Sequence, residues 1–221
     1  MLTQIYEVST ASEADAISGI GVDHVGVLVG NGAFPREHPA HDAAAILAAT
    51  RTSSKSLALF LSADATVIEQ MARVLRPAII HLGASTDLLR PAQIVGLRKL
   101  LPNILFMRSV PVTGVESIAI AKSYDGIVDF LLLDSHRVGD TQIGALGVTH
   151  DWNISRSIVE SVRTPVILAG GLGPDNVADA ILAVRPAGVD SKTRTDVGGF
   201  HTKDLAKVAA FNKAAKTVAL T

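Results

Sequence analysis

Two stretches of this chain hold residue types suited to acid–base and phosphate chemistry. The segment "DFLLLD", residues 129–134, closes an apolar run with Asp134. A carboxylate at the mouth of an apolar strand is partly desolvated, which raises its pKa towards the range useful for proton transfer; the alternative is an aspartate that caps the loop behind it. The segment "PVILAGGLGPDNVADAI", residues 165–181, runs from an unalternating apolar stretch into Gly170 and Gly171. Gly173 and Pro174 follow, then Val177, Ile181 and Val184 at helical spacing. The pattern predicts a buried strand, a turn, and a helix with proline in its first position. Bare amides between a strand's carboxyl end and a helix N-terminus suit a phosphate; the same glycines also suit a tight turn that needs positive φ and binds nothing.

The elements that must position these residues alternate along the chain. Apolar runs predict strands over 4–8, 23–29, 56–61, 78–82, 104–109, 129–134, 165–169 and 187–191. Between them, helices are expected near 11–19, 40–50, 64–75, 90–101, 114–124, 153–162 and 174–184, with a last one near 202–215. In the third, Val67, Met71, Val74 and Leu75 share one face. Eight strand–helix units in 221 residues predict an α/β protein, a single-domain (β/α)8 TIM barrel over 1–221. An open doubly wound sheet has no reason to stop at eight evenly spaced units.

In a barrel the chemistry sits at the carboxyl ends of the strands. Those positions are Tyr6 and Glu7, residues 29–36 with Arg36, Leu61 and Ser62, residues 81–84 beginning at His81, Arg108 and Ser109, residues 134–137 beginning at Asp134, Gly170 and Gly171, and residues 190–194 with Ser191, Lys192 and Arg194. The loop "SHRVGDTQIGALGVTHDWNIS" after Asp134 exceeds the length usual in compact domains and carries glycines at 139, 144 and 147. It is either a lid over a ligand or a solvated excursion.

Composition narrows the partners. The chain is 48% hydrophobic but only 4% aromatic, so its core is built from aliphatic and alanine side chains. No apolar run approaches about 20 residues, and no basic region precedes an apolar one at the start, so neither a spanning helix nor a secretory signal is expected. With no cysteine there is no disulfide or thiolate chemistry. A formal net charge of −1 argues against nucleic acid and anionic membranes as partners. A cytoplasmic protein is expected, with a small molecule as its partner.

The opening stretch, the strand ending at Asp134, the loop "GALGVTHDW" and the final "RPAGVDSKTRTDVGGFHTKDLAKV" together resemble the phosphoribosylanthranilate isomerases of tryptophan biosynthesis, in order and spacing over almost the whole chain. Gly144, Gly147, Asp151 and Trp152 match that family's sixth-loop pattern, and residues 169–181 match its Ala-Gly-Gly-Leu-x-Pro-x-Asn-Val-x-x-Ala-Ile in full. The resemblance implies a barrel that binds a ribose phosphate on loops seven and eight. It also implies an Amadori rearrangement of an aldose-like N-glycoside to a ketose-like product, with no cofactor and no metal. Asp134 falls on the family's general acid, and Arg36 in "FPRE" on an arginine that holds an anionic group of the substrate, or is a solvated loop charge. The family's first strand ends Lys-Ile-Cys-Gly with cysteine as general base; here "QIYEVS" puts Tyr6 in its place. "HLGAS" and "DSKTRT" also depart from the fourth- and eighth-strand patterns.

Amadori chemistry needs one group to remove the proton beside the imine and another to protonate the ring oxygen, on opposite sides of the sugar. Tyr6 titrates near 10 unless activated. Glu7 is adjacent but, if strand alternation holds, points away from Tyr6's face. His81 titrates in the right range. Asp134, His81 and Glu7 are therefore the catalytic candidates. Arg36, Gly170, Gly171, Ser191, Lys192 and Arg194 are the candidates for binding a phosphorylated sugar conjugate. Two functions remain open at this point: an isomerase with a substituted base, or a paralogue that keeps the phosphate cradle and binds without chemistry. Monomer and homodimer are equally compatible.

Overall fold

The computed structural model describes residues 1–137, 143–144, 147–198 and 200–219. Eight parallel strands close into a barrel in chain order: β1 (Leu2–Ile5), β2 (His24–Val29), β3 (Lys55–Phe60), β4 (Ile79–Leu82), β5 (Leu105–Pro111), β6 (Phe130–Asp134), β7 (Val166–Leu168) and β8 (Gly188–Ser191). The helices α1 (Ala11–Gly19), α2 (Ala40–Ala48), α3 (Ala65–Leu75), α4 (Pro91–Leu100), α5 (Glu116–Tyr124), α6 (Trp152–Ser161), α7 (Val177–Val184) and α8 (Leu205–Thr217) alternate with them. Among the described residues no helix is long and apolar enough to cross a membrane.

Most strands are apolar on both faces because each face meets a different core, while β1 and β8 bury polar Thr3, Gln4, Asp190 and Ser191. Outward residues such as Val25, Val27, Ile80, Leu131, Leu133 and Leu168 pack beneath the helices. Inward residues Leu57, Ile79, Met107, Leu132 and Ile167 fill the barrel. The helices start where short polar side chains take up unpaired amides. Asp64 accepts from Thr66 and Val67 N–H ahead of α3, and Asp204 from Ala206 and Lys207 N–H ahead of α8.

Three local expectations need correcting. The buried face of α3 is Ile68, Ala72 and Leu75, while Val74 is 70% exposed; the stripe that meets the barrel lies one position round from the one that apolar spacing suggests. α7 begins at Val177 rather than at Pro174, because Asn176 folds back on the turn, its Oδ1 accepting from Gly173 N–H at 2.8 Å and its Nδ2 donating to Gly171 O at 3.1 Å. Third, β1 ends at Ile5, so strand alternation does not govern Tyr6 and Glu7, and both line the cavity at the barrel's mouth.

Tyr6 reaches the barrel axis over Gly26 of β2, where any Cβ would overlap the Tyr6 ring. Gly26→Ala therefore lowers the unfolding free energy by about 1–3 kcal/mol, as overpacking does. Urea denaturation should show this loss shrinking when Tyr6 is also replaced by Ala, since the two sites share one volume.

Candidate active site

The carboxyl ends of the strands surround one cavity. All nine residues nominated from the sequence line it: Glu7, Arg36, His81, Asp134, Gly170, Gly171, Ser191, Lys192 and Arg194. Their surroundings divide the cavity into a floor, a charged rim, a glycine turn and two carboxyls.

The floor is a hydrogen-bonded chain through the interior. The Tyr6 hydroxyl meets His81 Nδ1 at 3.0 Å, and His81 Nε2 meets Ser109 Oγ at 2.7 Å. Both ring nitrogens of His81 are thus engaged, and the residue is 3% exposed. Burial, and then the charge of Arg108, pull its pKa down to about 3, so the ring is neutral and a weak proton acceptor at ordinary pH. Burial, and then the charge of Asp190, push the Tyr6 phenol well above its usual value, so it stays protonated.

At the rim, Glu7 stands between two cations. Arg36 Nη1 lies 2.7 Å from Glu7 Oε2, and Lys192 Nζ 3.1 Å from Glu7 Oε1. Arg36, at a φ of 69°, also reaches His201 Nδ1 at 3.0 Å. Arg194 pairs with Asp175 at 2.6 Å on the exposed side of the glycine turn.

Gly170 and Gly171 have φ of 86° and 61°. A side chain on Gly170 would press on His150 Nδ1, and one on Gly171 on the backbone of Val148 and Thr149. Glycine here is required by positive φ and by the close approach of the sixth loop. The turn also keeps donors available, since the amides of Gly171 and Leu172 make no hydrogen bond with the described residues. Ser191 Oγ donates to Leu172 O at 2.7 Å, which fixes the turn to β8 from beneath. Of the sixth loop, Ile143 N–H donates to Gly83 O at 3.0 Å. Gly139, one of the glycines on which the lid expectation rested, lies outside the described residues.

Asp134 Oδ1 accepts from Ser135 N–H at 2.7 Å and Ser135 Oγ at 3.2 Å. A Cβ on Gly144 would strike its other oxygen, so the loop backbone lies directly against this carboxyl. The second carboxyl is Asp190, which sequence reasoning placed at a strand end without giving it a role. It is 7% exposed and its Oδ1 is buried with no hydrogen-bond partner among the described residues. Burial, and then the charge of Asp134, raise its pKa to about 8, against the opposing effects of Gln4, Lys203 and Lys192. A signal was present: "AGVD" brings an aspartate to the last position but one of β8, after small and apolar residues, much as "LLLD" ends β6 on one.

With this geometry in view, comparison with known proteins is specific. A profile of the N-(5'phosphoribosyl)anthranilate (PRA) isomerase family matches residues 3–214. The N-(5'-phosphoribosyl)anthranilate isomerase of Methanocella arvoryzae is 34% identical over 182 residues, 82% of this chain and 83% of that protein. That of Haloferax volcanii is 32% identical over 221 residues, covering 98% and 94%. The structure of N-(5'-phosphoribosyl)anthranilate isomerase from Pyrococcus furiosus superposes with a TM-score of 0.80 at 22% identity, over 99% of this chain and all of that one, which establishes the shared fold.

Asp190 has a measurable effect on stability. Its folded-state pKa of about 8 lies above the ordinary carboxylate value of roughly 3.9, so between these pH values the folded chain holds a proton that the unfolded chain releases. Stability contributed at this position thus falls as pH rises from about 4 to about 8. Asp190→Asn, which never ionises, should be more stable than the parent by a few kcal/mol above pH 8 and equal to it near pH 4. Denaturant unfolding of both proteins at pH 4, 6 and 9 reads the difference directly. The buried His24, His81 and His150, held near 4, 3 and 4, destabilise both proteins alike as pH falls below about 6.5, and so cancel.

Proposed function

Because the chain belongs to the N-(5'-phosphoribosyl)anthranilate isomerase family, we propose that it catalyses the Amadori rearrangement of a phosphorylated ribose conjugate, with N-(5'-phosphoribosyl)anthranilate as its substrate. The observation that carries this is the convergence, on one cavity, of a carboxyl, an open glycine turn and three cations, the groups that the two anionic ends and the ring of such a molecule need.

The phosphate end seats on the amides of Gly171 and Leu172, with Arg194 beside the turn supplying charge. Ser191 acts one step back, by holding Leu172. The carboxylate end meets Arg36 and Lys192. Here the chain departs from the family pattern, because Glu7 already occupies both cations and must be displaced or share them. Between the two ends the ribose lies against Asp134, which protonates the ring oxygen as the C1–O bond breaks. The nitrogen lone pair closes to an iminium, loss of the C2 proton leaves an enolamine, and tautomerisation delivers the ketose. Tyr6 stands in place of the cysteine base and serves as a floor, tied to His81. The reaction needs no metal or cofactor. Its ligand is a soluble small molecule, which suits a cytoplasmic enzyme without nucleic-acid or membrane partners. The site is built from one chain, so a monomer and a homodimer serve equally well.

Incubation with N-(5'-phosphoribosyl)anthranilate should yield a product whose proton NMR spectrum contains a new C1 methylene. Asp134→Asn should cut turnover about 10²–10⁴-fold with the unfolding transition retained. Tight binding of the substrate with no methylene signal would instead favour a binding-only paralogue. Glu7→Gln should lower KM by about tenfold, or roughly 1.4 kcal/mol, by removing the competing carboxylate; an unchanged or raised KM in steady-state kinetics would place the substrate's carboxylate elsewhere.

A further inference from the structure

We propose that Asp190 is the proton acceptor of this site, acting with Asp134 as a carboxyl pair that straddles the sugar. The proposal rests on the isomerase reading above and supplies the group which that reading lacks.

The placement follows from register. Leu133 pairs with Leu168, and Leu168 with Val189, so the next residues, Asp134, Ala169 and Asp190, form one row across β6, β7 and β8. Leu132 and Ile167, two positions earlier on β6 and β7, point into the barrel, so Asp134 and Ala169 do as well; Asp190, two positions after Gly188 in the same row, also lines the cavity. Ala169 between them has only a methyl group. The two carboxyl-bearing backbones stand two strand spacings apart, roughly 9–10 Å, which leaves room for a sugar ring between the side chains.

The other groups at the floor and rim are unsuited to take the C2 proton. Tyr6 holds its proton firmly, and His81 is enclosed between Tyr6 and Ser109 with little basicity. Glu7 is committed to Arg36 and Lys192. Asp190 Oδ1 is buried and has no hydrogen-bond partner among the described residues, whereas Glu7, whose Oε2 also has none, is held by its ion pairs to Arg36 and Lys192. The groups facing it are Gln4 and Tyr6 from the β1 side, Asp134 from β6, and Lys192 and Lys203 from the segment after β8; β7 presents Ala169, which does not titrate. Lys203 is itself held by Asp196 at 2.6 Å and by Lys192 O at 3.1 Å, so it sits beside Asp190 without neutralising it.

Burial, and then the charge of Asp134, keep a proton on Asp190 in the resting site at neutral pH, so the two carboxyls form a coupled pair with one proton between them. The reactive form is the one in which that proton has passed to Asp134. Asp134 gives this proton to the ring oxygen, the C1–O bond breaks, and its electrons remain on that oxygen as a hydroxyl. Asp190 then takes the proton from C2, whose bonding electrons move into the C1–C2 double bond and reduce the iminium charge to a neutral enamine nitrogen. Tautomerisation places a proton on C1 and removes one from the C2 hydroxyl, so the pair ends with the single proton with which it began. A carboxyl that ionises near 8 matches the basicity of the thiol it replaces, whose reference value is about 8.5.

The test compares the parent, Asp190→Asn and Asp134→Asn on N-(5'-phosphoribosyl)anthranilate, together with carbon-13 NMR titration of the aspartate carboxyls. Asp190→Asn should lose about 10²–10⁴-fold in kcat while KM moves only a few-fold and the fold becomes more resistant to denaturant. A merely structural residue would not couple loss of turnover to a gain in stability. The carboxyl resonance missing from Asp190→Asn should titrate near pH 8 in the parent and lower in Asp134→Asn. The alkaline limb of the kcat/KM profile should fall at the same pH in the parent and move towards the ordinary carboxylate range in Asp190→Asn. Parental kcat in Asp190→Asn, or an Asp190 resonance that titrates near 4, overturns the assignment while leaving the isomerase function standing. Absence of turnover in the parent overturns the function, and the assignment with it.

Discussion

The site depends on one steric fit: the Tyr6 ring lying over the bare backbone of Gly26. In a barrel whose interior is packed with Leu57, Ile79, Met107, Leu132 and Ile167, the Tyr6 ring takes the space that a side chain at position 26 would fill. Its hydroxyl then has to find a partner away from water, and His81 supplies one, with Ser109 satisfying the far side of the ring. This chain of three seals the base of the cavity. The dryness it creates is what makes the carboxyl of Asp190, and the phenol itself, reluctant to ionise.

Above that dry base the charges are arranged in layers. Asp190 lies deepest, with buried Lys203 and Asp196 near it, and half-buried Asp134 stands across β7 from it. Glu7, Arg36 and Lys192 come next, and Arg194 with Asp175 sits outermost, 40% and 65% exposed. Coulombic interactions weaken outward as water screens them, so the outer pair is easily exchanged for a ligand anion while the inner carboxyls feel one another strongly. Attraction from outside and proton chemistry within thus come from the same set of residue types, separated only by depth.

The barrel was legible in the sequence because both of its cores leave a mark: strands covered on two faces read as unbroken apolar runs, and amphipathic helices separate them at regular intervals. The rim was legible for the same topological reason, since the end of each strand can be counted. What resisted reading was direction. β1 ends at Ile5, and past it Glu7 lies where its ion pairs with Arg36 and Lys192 hold it, not where strand alternation would put it. The start of α7 moved for a similar reason, because Asn176 holds the preceding turn by its side chain. His81 looked useful by type, and its burial, with the charge of Arg108 beside it, removes its basicity. Asp190 lay in plain view within "GVDS", but its character comes from burial and from a carboxylate on another strand, neither of which is written locally.

The contacts among the loops carry a mechanical consequence. The sixth loop is fastened to the fourth through Ile143 and Gly83, and its backbone at Val148 and Thr149 rests on the seventh at Gly171. The second loop is fastened to β1 through Arg36 and Glu7, and to the segment after β8 through Arg36 and His201. Ser191 with Leu172, and Arg194 with Asp175, fasten the eighth loop to the seventh in turn. Among the described residues the second, eighth, seventh, sixth and fourth loops thus form one linked border instead of independent arms, and an insertion in the second loop will be felt at the eighth before it reaches the fourth.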